Sequence, residues 1–586
     1  MIGAVILLLL LAIVAGVAVG VRRMARPAAA ATTPEGHVVR QLFQYLLLLV
    51  LLVVSAVGVA GLVEAALASG TTLAVSDTAL ARSVAFTVVG VPLLLALALL
   101  TRRTHAGDPA EANGLPWVVY LSAAGLVSLF VALVALHATA SWALGLRPHD
   151  PLASANAVVW TAAWAVHWWL GSRLTDQRPL QPALLAGSLL GLALGLVGLG
   201  VLLAGTLDEW LGLAGASALV GRHEPILEGA VTFVLAAAVW LRYWLLAGVR
   251  SERNLLWHAY VLLAGVTVGL VVAVTAASVA LDRVLVWLVG EPWSDDARRY
   301  FDAMPATIAA TTVGLLTFAY HQSVLRSVEH PRRTELDRVR DYLLAGVGLA
   351  AASVGSTIVV VALVEAAADP SVVGGGAVNT LLAAVTLIGV GAPVWQLFWR
   401  RGQRAAAGAD ETASLTRRLY LFLLLGLTSV ATVAALLAGA WILVDRILQG
   451  DDAAASVRSI RYPVGILATA AAVAAYHWAV YRSDRERHVL PARHGPAFVL
   501  LLGVADVGTA AALGRSTGAM VWAWTRRDVA PQVWSVEELA AVVAASGGSE
   551  TIVLADAGEL RAIPVLRRPP LLDPAASSAP GSRAPG

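Results

Sequence analysis

Six ionisable side chains recur along this chain at a nearly constant interval. Glu64, His137, Asp208, Asp282, Glu365 and Asp445 are separated by 73, 71, 74, 83 and 80 residues. Their surroundings repeat as well, as LVEAAL, TLDEWL, ALDRVL, LVEAAA and LVDRIL. Carboxylates and an imidazole held at one depth of a low-dielectric medium would form a polar collar able to bind a cation or a cationic ligand. A second recurrence places His167, His321 and His477 in the contexts Ala-Val-His-Trp, Ala-Tyr-His and Ala-Tyr-His-Trp. Three neutral imidazoles brought together would bind a metal ion or relay protons. Plainer chemistry competes in both cases. Asp282 and Asp445 are followed directly by Arg283 and Arg446, which weakens a shared negative field. Trp, Tyr and His beside Arg are the side chains of a headgroup layer, with rings partly buried and polar tips wet. The sequence therefore assigns no catalytic, cofactor or metal site.

The residues that are missing point the same way. There is no cysteine, which excludes disulfides, thiolate metal sites and a cysteine nucleophile. All 41 basic residues are arginine, which excludes a P-loop lysine and Schiff-base chemistry. No HExxH motif occurs, and no GxSxG elbow or dinucleotide-binding glycine pattern follows a strand to open a helix. The chain reads as a non-enzyme without a cofactor, and a net charge of +3 gives no reason to expect a nucleic-acid partner.

The elements that carry these residues follow from composition. Hydrophobic residues make up 58% and charged residues 13%, where a soluble protein carries about 25% charged. Residues 2–20 form an apolar run followed by Arg22, Arg23 and Arg26, the charge order of an uncleaved signal anchor with its N-terminus outside. Twelve further runs approach the ~20 residues that a spanning helix needs. They lie at 41–66, 81–100, 116–138, 154–171, 182–204, 227–247, 255–281, 304–321, 342–366, 377–398, 418–443 and 461–480. Arginines mark every second connection, among them Arg102, Arg103, Arg173, Arg178, Arg250, Arg253, Arg326, Arg400, Arg401 and Arg482. The positive-inside rule assigns those connections to the cytoplasm, so the chain is expected in a bacterial cytoplasmic membrane with its C-terminus inside. The lipid bilayer is its first partner.

The two recurrences together divide the chain into six tandem transmembrane hairpins at about 38–110, 111–180, 181–253, 254–335, 336–410 and 411–487, after a signal anchor (1–21) and a linker (22–37). Each unit has two spans, so all six run in one polarity, as parallel repeats. Gly187, Gly191 and Gly195, with Gly198 and Gly200 beyond, form a small-residue seam on the fifth of these twelve spans. The pattern of aromatic–His–Trp helix ends, following arginines and acidic outer ends resembles bacterial multi-pass membrane proteins built from tandem copies of an uncharacterised domain with paired transmembrane hairpins. The resemblance implies membrane location and carries no activity, cofactor or partner. Two units depart from it: Pro92–Leu100 lacks the Tyr/His pair, and Gln396 replaces His in the fifth.

After residue 487 the character changes. Strand, helix, strand, helix and a closing hairpin are expected at 497–503, 507–513, 519–524, 535–545 and 551–565, the order βαβαββ of a small cytoplasmic α/β domain (488–570). Ser535 and Glu538 have capping-box spacing. The loop Gly503–Asp506 is where a ligand of such a domain would sit, and residues 571–586 read as a disordered tail. The fold class is thus an all-α polytopic membrane protein with about 13 transmembrane helices and a C-terminal α/β domain. The functional reading is a structural, sensory or scaffolding role, with a protein partner reached through that domain. The alternative is a conduit for an ion or small molecule, which would need polar groups at mid-span, where the sequence has Ala, Val, Leu and Gly.

Overall fold

The computed structural model describes residues 35–68, 76–176, 178–212, 223–326, 333–368, 375–406, 408–450, 452–487, 496–504, 507–526, 528, 532–546, 549–556 and 558–565. The signal anchor (1–21), the linker as far as residue 34 and the tail (571–586) lie outside the described residues. The described chain divides into two compact bodies. One holds the residues up to Arg404 together with Leu427–Val473, and the other holds Ala405–Gly426 and the chain from Ala474 onward.

The apolar runs fold as helices because only a helix satisfies each backbone N–H and C=O within the segment. They are α1 Glu35–Ala68, α2 Asp77–Gly107, α3 Leu115–Ala143, α4 Pro151–Ser172, α5 Gln181–Leu211, α6 Glu224–Trp240, α7 Leu255–Val289, α8 Met304–Arg326, α9 Glu335–Ala368, α10 Gly375–Ala405, α11 Leu415–Gln449 and α12 Arg461–Arg487. Local chemistry sets their starts. Ser76, Asp150 and Asn254 accept hydrogen bonds from the first free N–H groups of α2, α4 and α7. Prolines occupy the first turns of α3, α4, α5 and α6, where no N–H is missed.

Eleven helices among the described residues are long and apolar enough to cross a membrane. Of the twelve spans expected within the described residues, the one at 154–171 falls short. The segment at 154–171 is helical, as α4, and its 22 residues would reach ~33 Å. However, Asn156, His167 and four tryptophans leave it less apolar than a spanning window requires.

Within the first body, α1 packs along α2, α3 along α4, α5 along α6 and α7 along α8. Successive pairs also touch, through α1 with α3 and α4, α3 with α6, α5 with α8, and α7 with α9. Thr357 on α9 hydrogen-bonds Thr469 on α12 at 3.0 Å.

Glycine brings the paired helices to backbone contact. A Cβ built on Gly314 would lie 2.7 Å from the Ala273 nitrogen and 2.8 Å from the Gly269 carbonyl, and one on Gly269 would lie 2.9 Å from the Gly314 carbonyl. Gly348 and Gly391 cross in the same reciprocal way, and Gly229 meets the Gly198 carbonyl and the Leu202 backbone. Absent side chains let helices approach within dispersion range where lipid supplies no hydrophobic drive. The seam on α5 is therefore formed by Gly187, Gly191, Gly198 and Gly205, whereas Gly195 meets only the Ala236 methyl at 3.8 Å and Gly200 faces open space. The stripe expected at 187, 191 and 195 is corrected by that one turn.

The second body contains a four-stranded sheet in the order β2-β1-β3-β4, with β1 Phe498–Leu502, β2 Met520–Trp524, β3 Glu550–Asp556 and β4 Glu559–Val565. β1 is parallel to both neighbours, and β4 runs antiparallel to β3. Helices α13 Val507–Thr517 and α14 Val536–Ala544 complete the order βαβαββ. The reciprocal Ser535–Glu538 box caps α14. One sheet face forms a core with both helices, centred on Val499, Leu501, Leu513, Leu539, Val543 and Val553. The other carries Phe498, Leu500, Met520, Trp522, Trp524, Ile552 and Ile563, with Leu500 in register with both Trp522 and Ile552. Met520, Trp522 and Trp524 are 63%, 53% and 55% exposed.

Candidate functional site

The arginine-bearing ends of the helix pairs are closed by tyrosine and histidine. In the second pair the Tyr120 hydroxyl lies 2.9 Å from His167 Nε2, and His167 Nδ1 lies 2.7 Å from the Ala163 carbonyl. A carbonyl only accepts, so the proton sits on Nδ1 and the tyrosine donates to Nε2. The first pair repeats the contact, Tyr45 to His105 at 3.0 Å. The first unit makes this cross-helix contact through His105, beyond the stretch Pro92–Leu100 that lacks the adjacent Tyr/His pair. In the fourth pair His321 Nδ1 donates to the Thr317 carbonyl at 2.9 Å, and its ring meets Tyr260 edge-on. Tyr420 and His477 stand the same way in the sixth. His167, His321 and His477 are all buried, so they are not the wet-tipped interfacial side chains that their arginine neighbours suggest. The tyrosines were open to recognition, since Tyr45, Tyr120, Tyr260, Tyr342 and Tyr420 follow at 75, 140, 82 and 78 residues.

The six residues of the collar lie on six different helices. His137 Nε2 sits 3.0 Å from the Thr232 hydroxyl and 3.3 Å from Glu228, which also receives Arg147 at 2.9 Å. Asp445 accepts from Gln449 in its own helix. Glu64, Asp208, Asp282 and Glu365 are half-buried at the ends of α1, α5, α7 and α9. Among the described residues, no three His, Asp or Glu side chains converge to hold a metal ion.

A polar concavity lies instead at the arginine end, between the second and third helix pairs. This cavity of about 490 Å³ runs from Arg178, Gln181, Arg250 and Glu252 at its mouth to Leu121, Leu126, Trp164 and Trp168. A π-helical turn at Leu241–Leu245 ends α6, and such turns re-aim side chains, often at functional sites. Here it follows Trp240, whose backbone lies against Gly191, and it seats the Tyr243 ring on Gly187. The Tyr243 hydroxyl accepts from Trp164 Nε1 at 2.8 Å. The Arg242 guanidinium rests on the Trp168 ring, 3.7 Å from its centroid. Arg178 pairs loosely with Glu252 at 3.6 Å.

Two further ionic clusters hold helix ends. Buried Asp341 receives Arg333 and Arg340, each at 2.9 Å, with Arg401 at 3.9 Å. Arg417 and Asp484 form a buried two-point pair within the second body. In the α/β region, Gly503 takes φ +87°, a left-handed conformation, and the Arg526 side chain packs over it. Arg526 reaches Asp528 at 2.5 Å and Asp556 at 3.3 Å. The expected ligand crevice at the strand ends is thus crossed by the protein's own arginine, while Ala505 and Asp506 lie outside the described residues.

The model of a domain of unknown function (DUF5671) matches residues 41–170 and 338–451. The chain is thus similar to this uncharacterised domain over two separate segments, 244 of its 586 residues. The first DUF5671 segment spans α1 to α4, two helix pairs with both Tyr–His contacts; the second spans α9 to α11. The cavity joins the first segment to α5 and α6, which lie between the two matches. No curated protein and no solved structure matches the chain.

Proposed function

We propose that this chain is a membrane scaffold of the bacterial cytoplasmic membrane, built from six parallel hairpins and presenting its α/β domain to a protein partner in the cytoplasm. The open sheet face carries the reading. A sheet with three parallel strands is ordinarily covered on both faces, and here one face leaves Trp522, Trp524 and Met520 to solvent. Clustered exposed aromatics are the anchors of protein interfaces. The Gly–Gly crossings support a packed role for the helices, because they bring the paired backbones into contact where a conduit would need polar lining. The arginine distribution supports N-terminus outside and C-terminus inside.

A photo-crosslinking residue at position 522 in living cells tests the reading. One discrete protein adduct that disappears with Trp524→Lys supports it, and labelling of lipid alone, or no adduct, overturns it. Ion flux in liposomes that falls when Glu64, Asp282, Glu365 and Asp445 are neutralised would establish the conduit in its place.

A further inference from the structure

We propose that the cavity between the second and third helix pairs binds the phosphate of an anionic amphiphile, its headgroup at the arginines and its apolar part along the tryptophan and leucine walls. The inference rests on the membrane-spanning reading of the helices and begins from Arg242. This side chain is half-buried, and among the described residues its N–H groups meet no carboxylate and no other hydrogen-bond acceptor. A guanidinium placed at helix depth without a counter-charge is costly. Its guanidinium is stacked on the Trp168 ring. Stacking engages the face of the guanidinium and leaves the in-plane donors free, the fork that matches two oxygens of a phosphate. Arg250, at the mouth, is exposed and likewise lacks an ion-pair partner among the described residues. Asp176 and Glu252 also line the mouth, but Glu252 faces Arg178 and one Asp176 oxygen accepts from the Arg178 backbone N–H. Three arginines against two carboxylates leave the lining at +1, and neither Arg242 nor Arg250 is in an ion pair among the described residues.

Shape selects an amphiphile over a free ion. From Ser172 at the mouth to Trp164 the lining follows α4 for eight residues, ~12 Å along its axis, with Leu121, Gly125, Leu126 and Leu184 facing the same space. Its volume falls in the range of small-molecule sites, roughly 300–1,000 Å³. Basic pockets between helices at a membrane face are suited to anionic headgroups.

The test uses the full chain in detergent, examined by native mass spectrometry with added phosphatidylglycerol, phosphatidylcholine or soluble glycerol phosphate. Phosphatidylglycerol should be retained over phosphatidylcholine, and Arg242→Gln should weaken that retention roughly tenfold. Arg242→Lys, which keeps the charge and loses the fork, should fall between them. Arg147→Gln, remote from the cavity, should leave retention unchanged. Equal retention of both lipids, or an Arg242→Gln protein that holds phosphatidylglycerol as before, overturns the proposal. Soluble glycerol phosphate competing at equal concentration would reassign the site to a water-soluble phosphate. A chain that does not insert into liposomes at all overturns the membrane reading itself, a result separable from loss of lipid selectivity in an inserted protein.

Discussion

Arg417 and Asp484 are joined at two points, Nε to Oδ2 at 2.6 Å and Nη2 to Oδ1 at 3.1 Å, and the arginine has no solvent exposure. They lie 67 residues apart in sequence, at the ends of α11 and α12 where the sixth pair meets the arginine side. A buried charge that loses its partner costs far more than the pair contributes. Asp484→Ala should therefore destabilise the second body by about 3–5 kcal/mol. Replacing both residues with apolar side chains of similar volume should recover most of that loss. Thermal unfolding in a mild detergent measures both, and a single mutant as stable as the double mutant would contradict the argument.

The reciprocal glycine crossings predict a sharply position-dependent response to one added methyl. Gly314→Ala puts a Cβ within 2.7 Å of the Ala273 nitrogen, a backbone atom that cannot swing aside. It should cost about 1–3 kcal/mol. Gly195→Ala, on a helix of the same kind, meets only a methyl at 3.8 Å and should be neutral or raise stability by up to ~1 kcal/mol through helix propensity. The pair of melting temperatures decides it: equal shifts for the two variants would mean that the crossings are not under steric constraint.

Much of this architecture is written in hydropathy and charge. The apolar runs located the helices, whose ends extend up to eight residues beyond them, and Ser535 with Glu538 marked the start of α14. The departures have physical causes. α4 is helical, but Trp160, Trp164, Trp168 and Trp169 lower its mean hydropathy, and two of them, Trp164 and Trp168, line the cavity. Gly187 and Gly191 belong to the seam as their spacing implies, but spacing of four residues does not say which face meets the partner, and beyond them Gly198 and Gly205 do so where Gly195 does not. Tyr45 and His105 were invisible as a pair, since a contact across 60 residues leaves no local pattern. The cavity could not be read at all, because Arg242 reaches Trp168 only by virtue of a π-helical turn. No residue type at 241–245 announces that turn.

The Tyr120–His167 contact should behave as a buried hydrogen bond with an expensive half-state. Tyr120→Phe removes the donor and leaves the Nε2 lone pair dry, at about 1–3 kcal/mol. His167→Phe removes the acceptor and leaves the tyrosine hydroxyl unpaired, at a similar cost. The double variant should be less destabilised than the sum of the two, with a coupling of roughly 0.5–3 kcal/mol. A double-mutant cycle on the unfolding midpoint measures it, and strict additivity would show that the hydroxyl and the imidazole do not interact.

The α/β region should lose stability in acid, for a reason that two carboxyl groups supply. Hydrogen bonding from Arg526 holds the Asp528 carboxyl down to about 2, and hydrogen bonds from Ser535 hold Glu538 below the usual range. In the unfolded chain these groups titrate at about 3.9 and 4.3. Each folded value is the lower one, so the unfolded state binds protons first as pH falls. The stabilisation is fully present above pH ~5 and is lost progressively as pH drops through ~4 toward ~2. Both groups are solvent-exposed, and salt should weaken the effect, the Arg526–Asp528 part most. Hydrogen exchange in the peptides covering 498–565, compared at each pH with the Asp528→Asn protein so that intrinsic rates cancel, reads the difference. Wild-type protection should exceed that of Asp528→Asn at pH 6 and converge with it near pH 2. A gap that stays constant from pH 6 to pH 2 would mean that the Arg526–Asp528 pair does not contribute through its charge.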